Sequence, residues 1–479
     1  MACDVFISYS HHDKSIADRI CARMEERGDQ MKKMICAVLA VMLIACGIAA
    51  AEHDPRKMET AGDADEFIAA FLGEHPEELE GAWALSAQME AALTQMGGIA
   101  GLAKQLSALG QPEAILPAYE GEIGGFQTFH VPCTFSVMQV DLILVVQDGR
   151  IAGLQTGPYS GGRDETENGA DWFDASELAL QVPRLGELPG ILTVPKGDGP
   201  FPAVVLLQGS GASDRDESAG NLKPFRDIAE GLAEKGIAVY RFDKRSYVYG
   251  VEMAADRQIT LVDEYLEDAV NAVQLLARQG KVDPDRIYVL GHSLGGNAIP
   301  AVARELKKAP VKAKGFIMMA ASPRPLEVLM REQYDFLYSL MSEITAEQQA
   351  EKDAVFAELD KLQDPDSLGE EEMIAGAYSA YWKWLASYDI LQAAEEISEP
   401  VLLLQGEEDY QVTMEDFRIW KEAFGEKANW QLISYPGLTH PFTAGQKTEG
   451  AAIYSRADSM DPRVIQDIAE FIALTETRP

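Results

Sequence analysis

The stretch RIYVLGHSLGGNAIPAVARELKK, residues 286–308, constrains the fold more than any other in this chain. A short apolar run, Ile287–Leu290, reads as a strand covered on both faces. It passes through Gly291-His292-Ser293-Leu294-Gly295-Gly296 into a segment with helical apolar spacing. Only a very tight turn joins strand to helix in so few residues. Such a turn holds Ser293 in a strained backbone conformation and needs glycine two residues away on either side. A strand feeding directly into a helix belongs to a parallel sheet with crossover helices.

The rest of the C-terminal half repeats the pattern. Strands are predicted at ELALQV and LPGILTVP, at Ala203–Leu207, Ile237–Phe242, Phe316–Ala320, Val401–Leu404 and Trp430–Tyr435, with helices at 224–235, 261–279 and 462–473. In the 261–279 helix, Leu261, Tyr265, Leu266, Val270, Val273 and Ala277 form one stripe toward the sheet. The expectation is an α/β fold, a mostly parallel doubly wound sheet over 176–476. The stretch 323–396 is helical and rich in large apolar residues, among them Tyr334, Phe336, Tyr381, Trp382 and Trp384. That is too much for a simple crossover, and a cap over the site is expected.

The turn at 291–296 has the context of a nucleophile elbow, which lifts the Ser293 hydroxyl above the sheet at a helix N-terminus and leaves the Leu294 amide facing developing negative charge. A serine hydroxyl needs a base. The C-terminal half has two histidines. His292 lies in the elbow and its side chain should diverge from Ser293, which leaves His440, just past the Trp430–Tyr435 strand. The imidazole needs a carboxylate, and VLLLQ runs into Gly406-Glu407-Glu408-Asp409. Asp409, beyond the turn, is the expected partner; Glu408 is the alternative, and Asp416 is assigned to the helix start capped by Thr413. The second oxyanion donor is expected in the loop Gln208–Asp216, from the Ser210 amide or next from Gly211. Asp214, Arg215 and Asp216 are expected to hold this loop through ion pairs. This set calls for no metal and no organic cofactor.

Upstream the pattern changes. Over residues 60–158, helices are predicted at 64–73 and 84–109, then strands through 117–156 with a tight hairpin at Asp148-Gly149, a small α+β domain. His130 there shows no acidic or thiolate neighbour along the chain and is read as packed or surface. Residues 159–175, rich in glycine and charge, read as a linker. Residues 31–51, MKKMICAVLAVMLIACGIAAA, have Lys32 and Lys33, an apolar stretch and then small residues. This is leader grammar and shorter than the ~20 apolar residues of a spanning helix. Leu43-Ile44-Ala45-Cys46 reads as a lipobox that would make Cys46 a lipid anchor, and Ala49-Ala50-Ala51 as an alternative cleavage site. Either implies export, with Met31 as the natural start; translation from Met1 would bury the leader inside the chain and imply a cytoplasmic protein.

With 77 acidic against 41 basic residues, the net charge of −36 repels phosphate backbones and excludes nucleic acid as the natural partner class. Four of five cysteines fall in the first 46 residues, so neither a disulfide framework nor a zinc spacing is present.

Three resemblances add to this reading. Val5-Phe6-Ile7-Ser8-Tyr9-Ser10, Asp13, Ala17-Asp18 and Glu25–Gly28 resemble the opening of a TIR domain, over residues 1–30 only; a TIR-type interaction role is the non-enzyme alternative. The 60–158 region resembles the cystatin- or NTF2-like domain that precedes some secreted bacterial hydrolases. QGSGASDRDE, KPFRDIAEGLAEKGIAVYRFDKR, GHSLGG, LLLQGEEDYQVT and YPGLTHPF resemble bacterial α/β-hydrolase carboxylesterases. That resemblance implies an α/β-hydrolase fold, hydrolysis of short acyl esters as small-molecule substrates, and a triad of Ser293, Asp409 and His440. Relatives that are serine aminopeptidases or acyl-thioester hydrolases leave the leaving group open. Asp243, Lys244 and Arg245 match the strand-end DKR and are read as structural.

Overall fold

A computed structural model describes residues 55–476 apart from 74, 107–110, 124–125, 136–138, 158–171, 221 and 457. The TIR-like segment, the leader with Cys46, and most of the expected linker lie outside the described residues. The chain divides into two compact units.

In the first unit, helices α1 (Ala61–Phe71), α2 (Ala87–Met96) and α3 (Gly98–Gln105) precede an antiparallel sheet of β1 (Pro112–Ile115), β2 (Tyr119–Ile123), β3 (Phe126–Phe135), β4 (Gln139–Gln147) and β5 (Arg150–Gly157). Thr60 caps α1 with its hydroxyl on the Asp63 amide, and Asp63 returns the bond. Alternate residues of β3, Phe129, Val131, Cys133 and Phe135, join Phe67, Phe71, Trp83 and Leu93 in one core. The single helix expected over 84–109 is two helices. Gly97 and Gly98 both take positive φ (86° and 83°), a conformation that ends a helix. His130, expected without an acidic neighbour, has Asp141 Oδ2 at 3.7 Å from Nδ1 and stacks on Tyr119. The register pairs His130 with Ile143, so Asp141 is its diagonal neighbour on the same face.

The second unit carries an eight-stranded sheet. Its strands are β6 (Phe173–Glu177), β9 (Gly190–Pro195), β10 (Phe201–Leu207), β11 (Ala238–Phe242), β12 (Val282–His292), β13 (Gly315–Met319), β16 (Val401–Gly406) and β17 (Trp430–Tyr435); β7 (Leu180–Val182) and β8 (Gly186–Leu188) form a separate hairpin. The order is β6-β9-β11-β10-β12-β13-β16-β17, parallel from β11 to β17, with β9 and β6 antiparallel. Since β6 begins at Phe173, the sheet starts inside the segment expected as linker. This is an α/β-hydrolase sheet. The chain leaves β10 toward β11 on one side and returns to β12 on the other, so the C-terminal ends of β10 and β12 flank a topological switch point, where open α/β sheets bind ligands.

The central strands are buried along their length, as apolar runs covered on both faces must be. Val204 and Leu206 face α4 (Pro224–Glu234) and α12 (Pro462–Glu476), through Phe225, Ile228, Val464 and Ile468. Ala203, Val205 and Leu207 face the other layer, with α5 (Glu267–Leu276), α6 (Leu294–Lys308) and α11 (Met414–Phe424). A π turn at Val262–Leu266 precedes α5. Its extra residue rotates the stripe, so Ala269, Ala272 and Leu276 are buried while Val270 and Ala277 are only half-buried.

Between β13 and β16 lie α7 (Leu326–Ser339), α8 (Ala346–Asp360), the small hairpin β14 (Met373–Ile374) and β15 (Ala377–Tyr378), α9 (Ser379–Ser387) and α10 (Ile390–Glu395). This insertion has its own small core of Met330, Leu359, Leu362, Leu368, Ile374 and Trp382.

Candidate active site

Ser293 stands between β12 and α6 with φ 53° and ψ −120°, a region costly for any residue with a Cβ. The flanking glycines explain why the turn can exist. A Cβ on Gly291 would lie 2.2 Å from the Gly295 carbonyl oxygen, and one on Gly295 would lie 2.4 Å from the carbonyl oxygens of Leu207 and Gln208. The Ser293 amide donates to Met319 O at 2.8 Å, anchoring the elbow to β13. Leu294 opens the 15-residue helix α6, whose first amides have no partner within the helix.

Asp409 and His440 come from the loops after the adjacent strands β16 and β17. Both are buried, with His440 Nδ1 2.7 Å from Asp409 Oδ2. The carboxylate is held at both oxygens. Oδ1 accepts the amides of Gln411 (2.7 Å) and Val412 (3.0 Å), and Oδ2 also accepts from Gln405 Nε2 (3.2 Å). An ionised carboxylate only accepts, so Nδ1 of His440 carries the proton and Nε2 presents a lone pair. The Glu408 amide donates to Leu438 O, joining the two loops, while its carboxylate turns out to the Lys447 amide. Asp416 closes the capping box with Thr413 and also pairs with Arg324 and Ser322.

The hydrogen bond expected between Ser293 and His440 is not formed: among the described residues the Ser293 hydroxyl has no partner. His440 instead contacts the residue before the serine: His292 Nε2 donates to the His440 carbonyl at 3.1 Å, and the two ring centroids lie 4.7 Å apart.

The loop after β10 approaches the same point. Gly209 packs against Ser293 closely enough that a Cβ there would sit 3.1 Å from Ser293 Cβ. Ser210 follows, exposed; Gly211, the second choice as donor, has φ 99° and its carbonyl accepts from Ser246 Oγ. Arg215 pairs bidentately with Asp243, and Arg241 with Asp216. Asp214 departs from the ion pairing expected of it: it accepts from the Ser218 amide and hydroxyl and the Asp216 amide.

Several residues here were not legible as site residues. Glu217, at φ 53°, turns its carboxylate inward to accept the Gly209 amide, with its other oxygen 3.0 Å from His292 Nδ1, an ion contact off hydrogen-bond alignment. Burial disfavours a charged His292, but Glu217 outweighs it and the His292 pKa is raised. Asp243 and Arg245 are structural, Arg245 pairing bidentately with buried Asp268. Lys244 differs, for its ammonium reaches the Gly209 carbonyl. A cavity of about 370 Å³ is lined by Asp409, Tyr410, Phe336 and Glu332 but by neither Ser293 nor His440. Among the described residues no group of three or more His, Cys, Asp or Glu is arranged to hold a metal ion.

Residues 218–445 match the family model described as serine aminopeptidase, S33. The chain is 35% identical over 332 residues to Esterase EstD of Thermotoga maritima, covering 69% of this chain and 76% of that one. This chain belongs to the α/β-hydrolase esterases. A second relative of this esterase, the bifunctional esterase/perhydrolase DCH of Acinetobacter calcoaceticus, is 26% identical over 228 residues, 43% of this chain and 76% of that one. Among solved structures the esterase is similar to Est1E from Butyrivibrio proteoclasticus, at 17% identity and a TM-score of 0.42, over 63% of this chain and 99% of that one.

Proposed function

We propose that this chain is a serine carboxylesterase that cleaves short-chain esters through an acyl-enzyme. Ser293 attacks the ester carbonyl as His440 Nε2 takes its proton. The amides of Ser210 and Leu294 hold the oxyanion, and the tetrahedral adduct expels the alcohol, protonated by His440. Water, deprotonated by the same imidazole, then releases the acid. Asp409 keeps the imidazole in the receiving tautomer and stabilises it once charged. The observation that carries the proposal is the buried 2.7 Å contact of His440 with Asp409 beside an elbow serine at positive φ. Membership of the esterase family supports it independently.

The family model's description favours a second reading, release of N-terminal residues from peptides on the same triad. Comparing p-nitrophenyl acetate with an aminoacyl p-nitroanilide separates the two. Burst release of p-nitrophenol, absent in Ser293→Ala, with little anilide hydrolysis is the esterase result; the reverse preference makes the chain a peptidase. We extend the proposal to export, with Cys46 lipidated or cleavage after Ala51, on the leader pattern of 31–51. A native N-terminus upstream of residue 31 would refute that part.

A further inference from the structure

Gly209 is gripped at both of its backbone polar groups by buried ionisable side chains. Its amide donates to Glu217, which is in ion contact with His292. Its carbonyl accepts two bonds, from Lys244 Nζ at 2.8 Å and Tyr265 Oη at 2.6 Å. Lys244 is only 1% exposed, and each of its three N–H groups has a partner: the Gly209 carbonyl, Tyr265 Oη (2.6 Å) and Glu264 Oε1 (2.7 Å). A lysine buried this deeply is costly unless fully paired, and here all of that pairing serves to anchor one backbone carbonyl beside the exposed Ser210.

The geometry of the peptide unit supplies the reason. The Gly209 carbonyl and the Ser210 amide belong to one planar unit, which is trans. Its C=O and N–H therefore point in opposite directions. Pulling the carbonyl toward Lys244 and Tyr265 aims the Ser210 N–H the other way. An ammonium on the carbonyl oxygen also polarises the whole amide and makes its N–H a stronger donor. We propose that Lys244, with Tyr265, is a positioning residue for the oxyanion hole, holding and polarising the Gly209–Ser210 peptide so that the Ser210 amide meets the oxyanion. The proposal rests on the esterase reading above. It also gives the cap a connection to the chemistry: Tyr381 of α9 donates to Glu264 Oε2 at 2.7 Å, so a cap residue braces the carboxylate that neutralises Lys244.

The test uses the full chain with p-nitrophenyl acetate and with an alkyl trifluoromethyl ketone, which forms an oxyanion adduct on the serine. Lys244→Met keeps the side-chain length without the charge. Lys244→Met combined with Glu264→Gln also removes the stranded carboxylate. Removing an oxyanion donor outright costs 10²–10³ in kcat, so loosening one should cost about 10- to 100-fold. The expected result is a loss of that size in kcat with KM changed by less than about threefold, and an equal loss of affinity for the ketone, in both variants. Tyr265→Phe, which deletes one of the two donors and keeps the ring, should lose about three- to tenfold in the same two quantities; it decides the matter if the lysine variants do not fold. Folded variants with kcat within about twofold of wild type, or with lower kcat but unchanged ketone affinity, would overturn the clamp alone. Ser293→Ala retaining ester hydrolysis would overturn the esterase reading beneath it.

Discussion

Replacing Asp409 by asparagine changes one atom, and the hydrogen bonds around that atom dictate the outcome. The position of Oδ1 faces two backbone amides, of Gln411 and Val412, at 2.7 and 3.0 Å. The position of Oδ2 faces His440 Nδ1 and Gln405 Nε2, and the Gln405 amide cannot flip freely because it also donates to the carbonyls of Val412 and Gly406. If the asparagine NH2 took the Oδ1 position it would oppose two buried donors, at about 1–3 kcal/mol each. It therefore takes the Oδ2 position and opposes one. There it donates to His440 Nδ1, which moves the imidazole proton to Nε2 and leaves no lone pair for the Ser293 proton. Recovering the productive tautomer means accepting the costlier orientation, and the imidazolium loses its counter-charge as well. Together these amount to about 4–5.5 kcal/mol, a fall of about 10³–10⁴ in kcat/KM. Initial rates with p-nitrophenyl acetate at neutral pH measure it, with circular dichroism to show that the variant is folded. Glu408→Gln is the control: among the described residues its carboxylate bonds only the Lys447 amide, at 3.3 Å, and activity should stay within about twofold. A folded Asp409→Asn enzyme with more than a tenth of wild-type activity, or the large loss appearing in Glu408→Gln, would refute the reasoning.

Two further outcomes follow from packing and burial. Gly295→Ala drives a Cβ to 2.4 Å from two carbonyl oxygens at the end of β10, neither of which can rotate away; thermal unfolding should show a loss of about 3 kcal/mol with ester hydrolysis abolished, and an unchanged Tm would contradict the close approach. Burial raises Asp227 from its ordinary 3.8 to about 6. The native carboxyl thus holds its proton more tightly than the unfolded one, so its contribution to stability is complete below pH 3.8 and is lost as pH rises through about 6. Asp227→Asn, whose amide oxygen can still accept the Met460 amide, escapes that loss. Its unfolding free energy in urea relative to wild type should rise between pH 5 and 7.5, by about 1–2 kcal/mol; a difference independent of pH would count against it.

The sheet was legible because its central strands are apolar runs punctuated by glycine turns, and no other burial suits such runs. Ser293 was legible because the steric demands of the turn are written as Gly291 and Gly295, and the pairing of His440 with Asp409 because so few histidines and strand-end acids competed. What stayed hidden depends on where side chains turn after folding. Nothing in Asp214-Arg215-Asp216-Glu217 marks Glu217 as the acid that swings inward; its positive φ appears only in the structure. Lys244 sits between two residues that make ordinary ion pairs and shares their pattern, yet it reaches the Gly209 carbonyl from a strand end 35 residues away. The π turn before α5 and the break at Gly97-Gly98 moved burial by a residue or two, a shift that helical spacing alone does not encode.

The most direct measurement is the site of covalent capture. Incubating the full chain with an alkyl fluorophosphonate and mapping the adduct by peptide mass spectrometry should give one phosphonyl group per chain, on Ser293, with p-nitrophenyl acetate hydrolysis lost in proportion. An adduct on any other residue, or ester hydrolysis persisting in fully modified protein, would contradict the claim that this serine is the nucleophile.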